Sequence, residues 1–240
     1  MIEKNSYKDP IQRILFLENH VLKNMDPKMP SFNKNYTGKI YGDHIFLIEK
    51  NRQKEKIHVV RKATLKLIKY LKMQKKMGNF FKNFKNPVTE TKNMLETLVR
   101  ENNIVSVAYN EKNEIIGYLI VLTPQEERFN LEKIYQIGSI EVSKDYRGMG
   151  IATELMKLFE DEFFDDKIIY TFCYSWHWDT TECTVERYRK KILHLLHAQG
   201  FVEEFINDIN IKMDPYNIFA VRYGKNADPV LIKKFKEKLI

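Results

Sequence analysis

The spacing of apolar residues changes along the chain and predicts two kinds of secondary structure. Apolar residues at helical spacing predict helices, and short apolar runs bounded by turn residues predict strands. Most of the predicted strands lie after residue 103. The predicted helices are residues 9–24, 64–76, 86–102, 150–164, 184–199 and 228–239. The predicted strands are residues 37–50, 56–62, 103–110, 114–123, 133–142, 167–174, 201–206 and 217–224. This order predicts an α+β fold in which helices cover the faces of a mixed sheet.

Proline, glycine and capping residues mark the boundaries between these elements. Residues 25–35 contain two prolines and are typical of a linker, and Asp228 with the proline after it predicts the start of the closing helix. The expected parts are an N-terminal helical extension and linker over residues 1–35, a main domain over 36–224, and a C-terminal helix packed on that domain within 225–240. The predicted hairpin turns lie at Gly42–Asp43 and Asn110–Asn113.

Composition narrows the classes of function. The chain is 43% hydrophobic and rich in Phe and Tyr, which predicts a packed core. It has no apolar run of membrane-spanning length, and its first residues lack the apolar core of a signal peptide. We therefore expect a cytoplasmic protein with no membrane partner, in which Cys173 and Cys183 are free thiols. The net charge of +8 suits nucleic acid, a phosphorylated cofactor or an acidic partner, and a general lysine bias explains it equally well.

The stretch DYRGMGIATELM, residues 145–156, carries the strongest local signal. Gly148 and Gly150 lie between a predicted strand and a predicted helix, where exposed N–H groups and the helix dipole favour an anion. Arg147 adds a positive charge at the same place. The Gly-Lys-Ser/Thr of a Walker loop is absent, and Thr153 stands where a dinucleotide fingerprint needs its third glycine. The local chemistry therefore predicts a pyrophosphate site of another kind.

The spacing Arg147-x-x-Gly150-x-Ala152 resembles the pyrophosphate loop of the GNAT family of N-acetyltransferases. The resemblance covers roughly residues 36–224, because the order of strands and helices also agrees. It implies the GNAT fold with a mostly antiparallel sheet, acetyl-CoA as cosubstrate and no metal, and two strands, SIEV and IIYTFCY, that splay apart around the pantetheine. The residues that it implies for cofactor binding are Ile140, Val142, Arg147, Gly148, Met149, Gly150, Ile151, Ala152 and Thr153.

Three further stretches resemble one GNAT subfamily, the acetoin-utilization acetyltransferases. They are YSWHWD at 174–179, YRKKILHLLHAQGF at 188–201 and FAVRYGKNAD at 219–228. This resemblance implies a protein-lysine acetyltransferase whose partner is acetyl-CoA synthetase, which it inactivates by acetylating an active-site lysine. It also implies direct transfer in a ternary complex, without a covalent enzyme intermediate. Residues 1–35 lie beyond the pattern.

Acetyl transfer to an amine needs a base, and Glu141 is the first candidate because apolar neighbours flank it where the sheet is expected to open. A structural ion pair is an equal interpretation, and Glu132 is the second candidate base. Many GNAT enzymes use a tyrosine as the acid for the thiolate, but the matching position here is Leu196. Tyr188 is the first substitute, with a core tyrosine as the alternative interpretation, and Tyr170 or Tyr174 are further options.

The predicted loop after the strand at 167–174 is the expected entry for the acceptor. We expect Trp176, Trp178 and Asp179 to contact the acceptor and His177 to relay protons, whereas an aromatic plug is the alternative. The side chains of Cys173, Cys183, His194 and His197 do not have the spacing of a zinc site.

Other classes of function remain open at this level. Acetylation of a small amine or of a peptide N-terminus uses the same chemistry, and a non-catalytic acetyl-CoA sensor uses the same binding loop. The basic, aromatic stretch at 66–85 suggests a nucleic-acid-binding module. It contains no recognised nucleic-acid-binding motif, so we expect no nucleic-acid partner.

Overall fold

The computed structural model describes residues 44–124 and 126–240. The predicted helix at 9–24, the hairpin turn at Gly42–Asp43 and the N-terminal extension over 1–35 lie outside these described residues.

The described residues form strands and helices in mixed order. The strands are β1 His44–Lys50, β2 Gln53–Val60, β3 Lys72–Met73, β4 Ile104–Asn110, β5 Glu114–Leu122, β6 Ile134–Val142, β7 Ile168–Cys173, β8 Val202–Glu203 and β9 Ile218–Tyr223. The α-helices are α1 Leu65–Tyr70, α2 Pro87–Arg100, α3 Ile151–Met156, α4 Val185–His197, α5 Ile209–Lys212 and α6 Pro229–Glu237.

Within the described residues the strands build one sheet in the order β1-β2-β4-β5-β6-β7-β9-β8, with β3 beside β5. The pairs β6–β7 and β3–β5 are parallel, and the other neighbouring strands are antiparallel. The prediction of a mixed, mostly antiparallel sheet flanked by helices is therefore confirmed.

Residues of β5 point into two different cores, because successive side chains of a strand face opposite sides of the sheet and a bulge at Ile116 shifts the alternation by one residue. Ile116 and Leu119 pack in a cluster with Ile151 and Leu155 of α3 and with Leu196 of α4. The other face contributes Ile115, Tyr118 and Ile120 to a cluster with Ile68 of α1 and with Leu95 and Leu98 of α2. Burial of both faces explains why the run EIIGYLIVL is almost continuously apolar.

A third cluster lies between β6, β7, β9 and the last helix, α6. Phe235 of α6 is fully buried among aromatic rings, at 5.3 Å from the ring of Phe129 and 6.1 Å from that of Tyr170. Asp228 caps α6 by accepting a hydrogen bond from the N–H of Val230. The closing helix is thus held by both its cap and its apolar face.

Two predicted helices are wrong in extent. Of residues 64–76 only Leu65–Tyr70 is helical, because Leu71 is extended and the next residues pair with β5. The N–H of Lys72 donates to the carbonyl of Asn113 at 2.9 Å, a contact that helical periodicity cannot reveal.

The predicted helix at 150–164 is also shorter. It is α-helical over Ile151–Met156 and 3-10 helical over Lys157–Glu160, and Asp161 is extended and ends the helix. The buried Asp161 then caps a separate 3-10 turn by accepting from the N–H of Phe163 at 2.8 Å. Asp161 therefore acts as a cap, a role for which its type is well suited.

Candidate active site

Strand β6 leaves its neighbour β7 half way along its length. Residues 134–137 pair with residues 168–171, after which β6 continues beside β5 and β7 continues beside β9. Gly138 is an extra residue in β6, because Ser139 faces Ile120 and Ile137 faces Val121. A Cβ atom there would lie 2.7 Å from Leu122 Cδ1, so a larger residue at this bulge requires the Leu122 side chain to shift. The sheet therefore opens where the sequence predicts that it splays.

The glycine loop follows the open end of β6 directly. Gly148 has φ of +75° and Gly150 has φ of +82°, both in the left-handed region that favours glycine. Space above both residues is open, since an added Cβ would meet no atom within 4 Å. Helix α3 begins at Ile151, and its first N–H groups have no intrahelical partner. An exposed backbone with free donors fits a phosphate or pyrophosphate.

The neighbouring residues predicted to bind the cofactor form the floor and the start of the helix. Ile151 is buried, and Ile140, Val142 and Met149 pack against the same core cluster. Ala152 and Thr153 follow in the first turn of α3.

The guanidinium of Arg147 is engaged away from the glycine backbone. Its Nη1 lies 2.8 Å from Asp179 Oδ2 and its Nε donates to the carbonyl of Val142 at 3.1 Å. Lys144 Nζ lies 2.8 Å from the same carboxylate oxygen, and the Asp179 side chain is only 6% exposed. Burial opposes ionisation of Asp179, but hydrogen bonds from Lys144, Thr181 and Arg147 outweigh it and lower its pKa. Asp179 therefore fastens the loop after β7 to the glycine loop.

Glu141 is the carboxylate at the open end of β6, with an exposure of 9%. Its Oε1 accepts from the backbone N–H groups of Gly78 and Asn79, each at 2.9 Å. Its Oε2 accepts from Tyr118 Oη at 2.9 Å. Burial and the adjacent carboxylate raise the pKa of Tyr118 well above its usual value, so the phenol keeps its proton as a donor. Among the residues that the structure describes no cation is paired with Glu141, and the three donors that hold it are neutral.

Asn79 joins Glu141 to the loop that carries His177. Its N–H binds Glu141, while its side-chain Nδ2 donates to the carbonyl of His177 at 2.9 Å. The next residue, Phe80, stacks on the His177 ring at 5.5 Å and 20°. Burial, with a smaller effect from Lys82, lowers the pKa of His177 to about 4. The imidazole is therefore neutral near pH 7.

The other aromatic residues of this loop form two stacks. Trp178 lies on Tyr188 of α4, with ring centroids 5.4 Å apart at 18°. Burial raises the pKa of Tyr188, so its phenol is protonated at neutral pH. Trp176 stacks on Tyr174 at 4.5 Å and is 38% exposed. The structure thus brings Trp178, Asp179 and Tyr188 together with Arg147, and His177 together with Glu141 through Asn79.

Other residues weighed from the sequence lie apart from this constellation. Glu132 is exposed just before the other end of β6, about 30 Å of extended chain from Glu141. Tyr170 is buried in the aromatic cluster around Phe235. Burial raises the pKa of the Cys173 thiol to about 11, which leaves it protonated. The part of the chain that the structure describes contains no group of three His, Cys, Asp or Glu side chains arranged for a metal.

Sequence reasoning missed the segment that precedes α2. Gln74, Gly78 and Asn79 approach the open end of β6, and Ser143 Oγ donates to Gln74 Oε1 at 2.8 Å. Gly78 has φ of +97°, and a Cβ there would lie 2.7 Å from the Pro87 carbonyl carbon. The glycine inside an otherwise helical, lysine-rich run was the available signal, because it marks a break in the helix.

Comparison with known proteins agrees with this geometry. Residues 73–189 match the model of the acetyltransferase (GNAT) family. That range contains β6, the glycine loop and the loop with Asp179. Residues 73–189, slightly less than half of the chain, are therefore similar to a domain of the GNAT family, and the sheet has the GNAT fold.

Two curated relatives are named acetoin utilization protein AcuA. The one from Bacillus subtilis is 34% identical over 128 residues, which cover 50% of this chain and 61% of the relative. The one from Bacillus licheniformis is 31% identical over 131 residues, which cover 52% of this chain and 62% of the relative. The match therefore spans less than two thirds of the length of either relative.

A solved structure supports the fold over a longer stretch. The crystal structure of an acetoin utilization protein from Exiguobacterium sibiricum superposes with a TM-score of 0.72 and is 24% identical. The superposition covers 83% of this chain and 94% of that chain.

Among the described residues no helix has the length and apolarity needed to cross a membrane.

Proposed function

We propose that this chain is an acetyl-CoA-dependent protein-lysine N-acetyltransferase that acts by direct transfer. The observation that carries the proposal is the open end of β6, where the buried Glu141 carboxylate lies beside a loop of left-handed glycines. The loop supplies backbone donors for a pyrophosphate, and the carboxylate supplies a base. The two curated AcuA relatives support the same assignment.

The residues that would hold acetyl-CoA are those of the glycine loop and of the opened strand. The N–H groups around Gly148, Gly150 and Ile151 face the open space above the loop. The edge of β6 at Ile140 and Val142 has no strand paired with it on the side of β7, so its backbone is available to a pantetheine amide. When bound, the thioester supplies an activated acetyl group.

Glu141 is proposed to remove the proton from the acceptor. A lysine with the usual pKa of about 10.4 requires about 4.6 kcal/mol to be deprotonated at pH 7. The Glu141 carboxylate accepts that proton directly or through one water. Its three hydrogen bonds fix the carboxylate plane and leave one lone pair, on Oε2, to take the proton.

Tyr188 is proposed to protonate the departing thiolate. Its raised pKa keeps the phenol protonated, so the hydroxyl can donate a hydrogen bond and a proton to the sulfur as the C–S bond breaks, and its stacking on Trp178 fixes the ring. The neutral His177 lines the same opening and accepts or passes a proton only weakly, given its low pKa. The protonated Cys173 thiol is a poor nucleophile, which favours direct transfer over an acetyl-cysteine enzyme.

The proposed acceptor is an active-site lysine of acetyl-CoA synthetase, which acetylation would inactivate. The resemblance of YSWHWD and the two later stretches to the acetoin-utilization acetyltransferases supports this acceptor. Both cysteines of the chain are free, in keeping with a proposed cytoplasmic location, where thiols stay reduced.

The test is an acetylation assay with the purified chain, acetyl-CoA and acetyl-CoA synthetase, read by intact-mass and peptide mass spectrometry. We expect one acetyl mark on the catalytic lysine of the synthetase, formed about 100-fold more slowly by Glu141→Gln. Glutamine preserves the acceptor for Gly78 and Asn79, so the variant removes the base while keeping the anchor. Glu160→Gln, an exposed carboxylate on the 3-10 turn after α3, is the matched control and should acetylate normally.

Each other outcome has a distinct meaning. Equal rates for Glu141→Gln and wild type would remove Glu141 from the role of base. Acetylation of small amines or of peptide N-termini in place of the synthetase would change the acceptor class. Tight acetyl-CoA binding without turnover on any amine would contradict the proposed activity in favour of a sensor.

A further inference from the structure

The segment between α1 and α2 places an uncompensated positive rim at the edge of the candidate active site. Residues 72–85 contain five lysines and no aspartate or glutamate. The same segment donates the N–H groups of Gly78 and Asn79 to Glu141, so the segment that carries these lysines contacts the base proposed for the reaction. We define the basic rim as Lys75, Lys82 and Lys85, which are all exposed.

The acidic side chains of the site do not neutralise the positive charge of the basic rim. Lys76 pairs with Asp145 at 2.7 Å, but in the described part of the chain no ion pair joins a lysine of the basic rim to a carboxylate. Glu141 and Asp179 are buried and already bonded to their own donors. Electrostatic attraction at the rim is therefore available to an incoming molecule.

Two exposed aromatic rings lie beside the rim. Phe80 and Trp176 are each 38% exposed, and both lie close to His177, at 5.5 Å and 5.9 Å between ring centroids. The carbonyl of His177 is tied to Asn79, so this platform belongs to the same unit as the basic segment. Exposed aromatic side chains with a polar rim are typical of a protein-binding surface.

We propose that the basic rim, with Phe80 and Trp176, selects an acceptor lysine that lies in an acidic segment of its protein. This inference rests on the proposed function and adds the class of acceptor. Glutamate or aspartate side chains flanking the acceptor lysine pair with the rim, whereas basic flanks are repelled. The rim also places positive charge beside the acceptor ammonium, which favours its neutral, nucleophilic form. A nucleic-acid backbone is the competing occupant of a basic, aromatic surface.

The test compares charge reversal at the rim with the same reversal elsewhere in the full chain. Lys82→Glu with Lys85→Glu reverses two of the three rim charges, and Lys82→Gln with Lys85→Gln neutralises the same two. Lys233→Glu with Lys234→Glu, on the exposed face of α6, is the matched control. With acetyl-CoA synthetase as acceptor, kcat/KM should fall about tenfold or more for rim reversal, less for neutralisation and less than about twofold for the control.

Two further readouts identify the cause of the fall. The acetyl-CoA Kd should be the same in all four proteins, because the rim does not touch the glycine loop. Raising the salt from about 50 mM to about 500 mM should lower the wild-type kcat/KM and leave the rim-reversal variant nearly unchanged. Equal kcat/KM for the rim-reversal and control variants would overturn the proposal.

A peptide-binding measurement tests the basic rim even if the chain does not acetylate the synthetase. Two fluorescein-labelled peptides share a central lysine and differ only in glutamate or arginine flanks, and their binding is followed by anisotropy in the presence of CoA. The acidic peptide should bind about tenfold more tightly, and rim reversal should abolish the preference. Absence of acetylation with this preference intact would refute the acetyltransferase assignment alone. No preference, or tighter rim-dependent binding of a single-stranded oligonucleotide, would refute the acidic-acceptor assignment.

Discussion

The two halves of strand β6 are built from different interactions. Its first residues, 134–137, pair with β7, residues 136 and 137 also pair with β5, and this half lies near the aromatic cluster of Phe129, Tyr170 and Phe235. Its last residues, 139–142, lack the β7 partner and are supported by hydrogen bonds from the segment at 78–79. We call these the closed half and the open half. The closed half is stabilised by burial of apolar side chains. The open half is not paired with β7, and this gap in the sheet gives access to the Glu141 carboxylate.

The comparison shows that where β6 loses its hydrogen bonds to β7, other hydrogen bonds support the strand. In the open half the substitutes are donors from distant parts of the sequence, such as the backbone N–H of Asn79 and the hydroxyl of Tyr118. Substitutions in the two halves should therefore separate: closed-half variants lose stability, and open-half variants lose activity and loop order.

The largest expected effect is loss of stability in the closed half. Phe235→Ala removes a fully buried ring from the aromatic cluster and should lower the free energy of unfolding by about 3–5 kcal/mol. Urea denaturation followed by circular dichroism measures the change, with the exposed Lys234→Ala as control. Below the unfolding transition the variant should bind acetyl-CoA as wild type does. A loss under about 1 kcal/mol would contradict the assignment of stability to this half.

An intermediate effect is expected in the open half from Asn79→Ala. The variant keeps the backbone bond to Glu141 and loses the bond to the His177 carbonyl, so the loop of Trp176 should become mobile. We expect about a tenfold fall in kcat with little change in the acetyl-CoA Kd, because the acceptor side alone is displaced. The exposed Asn83→Ala is the matched control.

Tryptophan fluorescence reports this change without an acceptor. The whole chain contains two tryptophans, Trp176 and Trp178, and both belong to the loop in question. Acrylamide quenching should increase in Asn79→Ala and stay at the wild-type level in Asn83→Ala. Unchanged quenching in Asn79→Ala would show that the tie does not order the loop.

The smallest expected effect is a pH dependence of stability in the open half. The pKa of His177 falls from 6.5 to about 4 on folding, so the unfolded chain binds this proton more readily. The stability associated with the neutral ring is complete above about pH 6.5 and is lost as the pH falls toward 4. The Tm should fall more steeply across this window in wild type than in His177→Gln, by about 2–4 °C.

The exposed His194→Gln is the matched control for this measurement and should retain the wild-type slope of Tm against pH. Asp179, whose pKa is lowered in the fold, contributes at a lower pH and does not obscure the window. Equal slopes for wild type and His177→Gln would contradict the burial of a neutral imidazole in this loop.

Local pattern was sufficient for much of the fold. Strand β6 was predicted over residues 133–142 and spans Ile134–Val142, and the tight turn at Asn110–Asn113 is closed by a 3.0 Å hydrogen bond. These elements succeed because alternation and turn chemistry act over a few neighbouring residues. The glycine loop was identified for the same reason, since left-handed conformation and a helix start are local properties.

Local pattern failed where the backbone pairs with a distant strand. Apolar spacing at residues 64–76 is helical, yet Lys72 and Met73 bond to β5. The roles of site residues also depended on distant partners. The prediction that Arg147 binds a phosphate did not include its ion pair with Asp179, and Glu141 was placed on the opened strand without its three donors.

The sequence by itself determined the α+β class, the glycine loop before α3 and the strand on which the candidate base lies. Each of these depends on contacts within a short window, where residue type and spacing are sufficient. Only the tertiary structure decided that Gly78, Asn79 and Tyr118 hold Glu141, and that Asp179 joins the loop after β7 to Arg147. The physical reason is that a buried carboxylate takes its donors from whichever chain segments the fold brings within hydrogen-bond distance, and sequence spacing does not encode that distance.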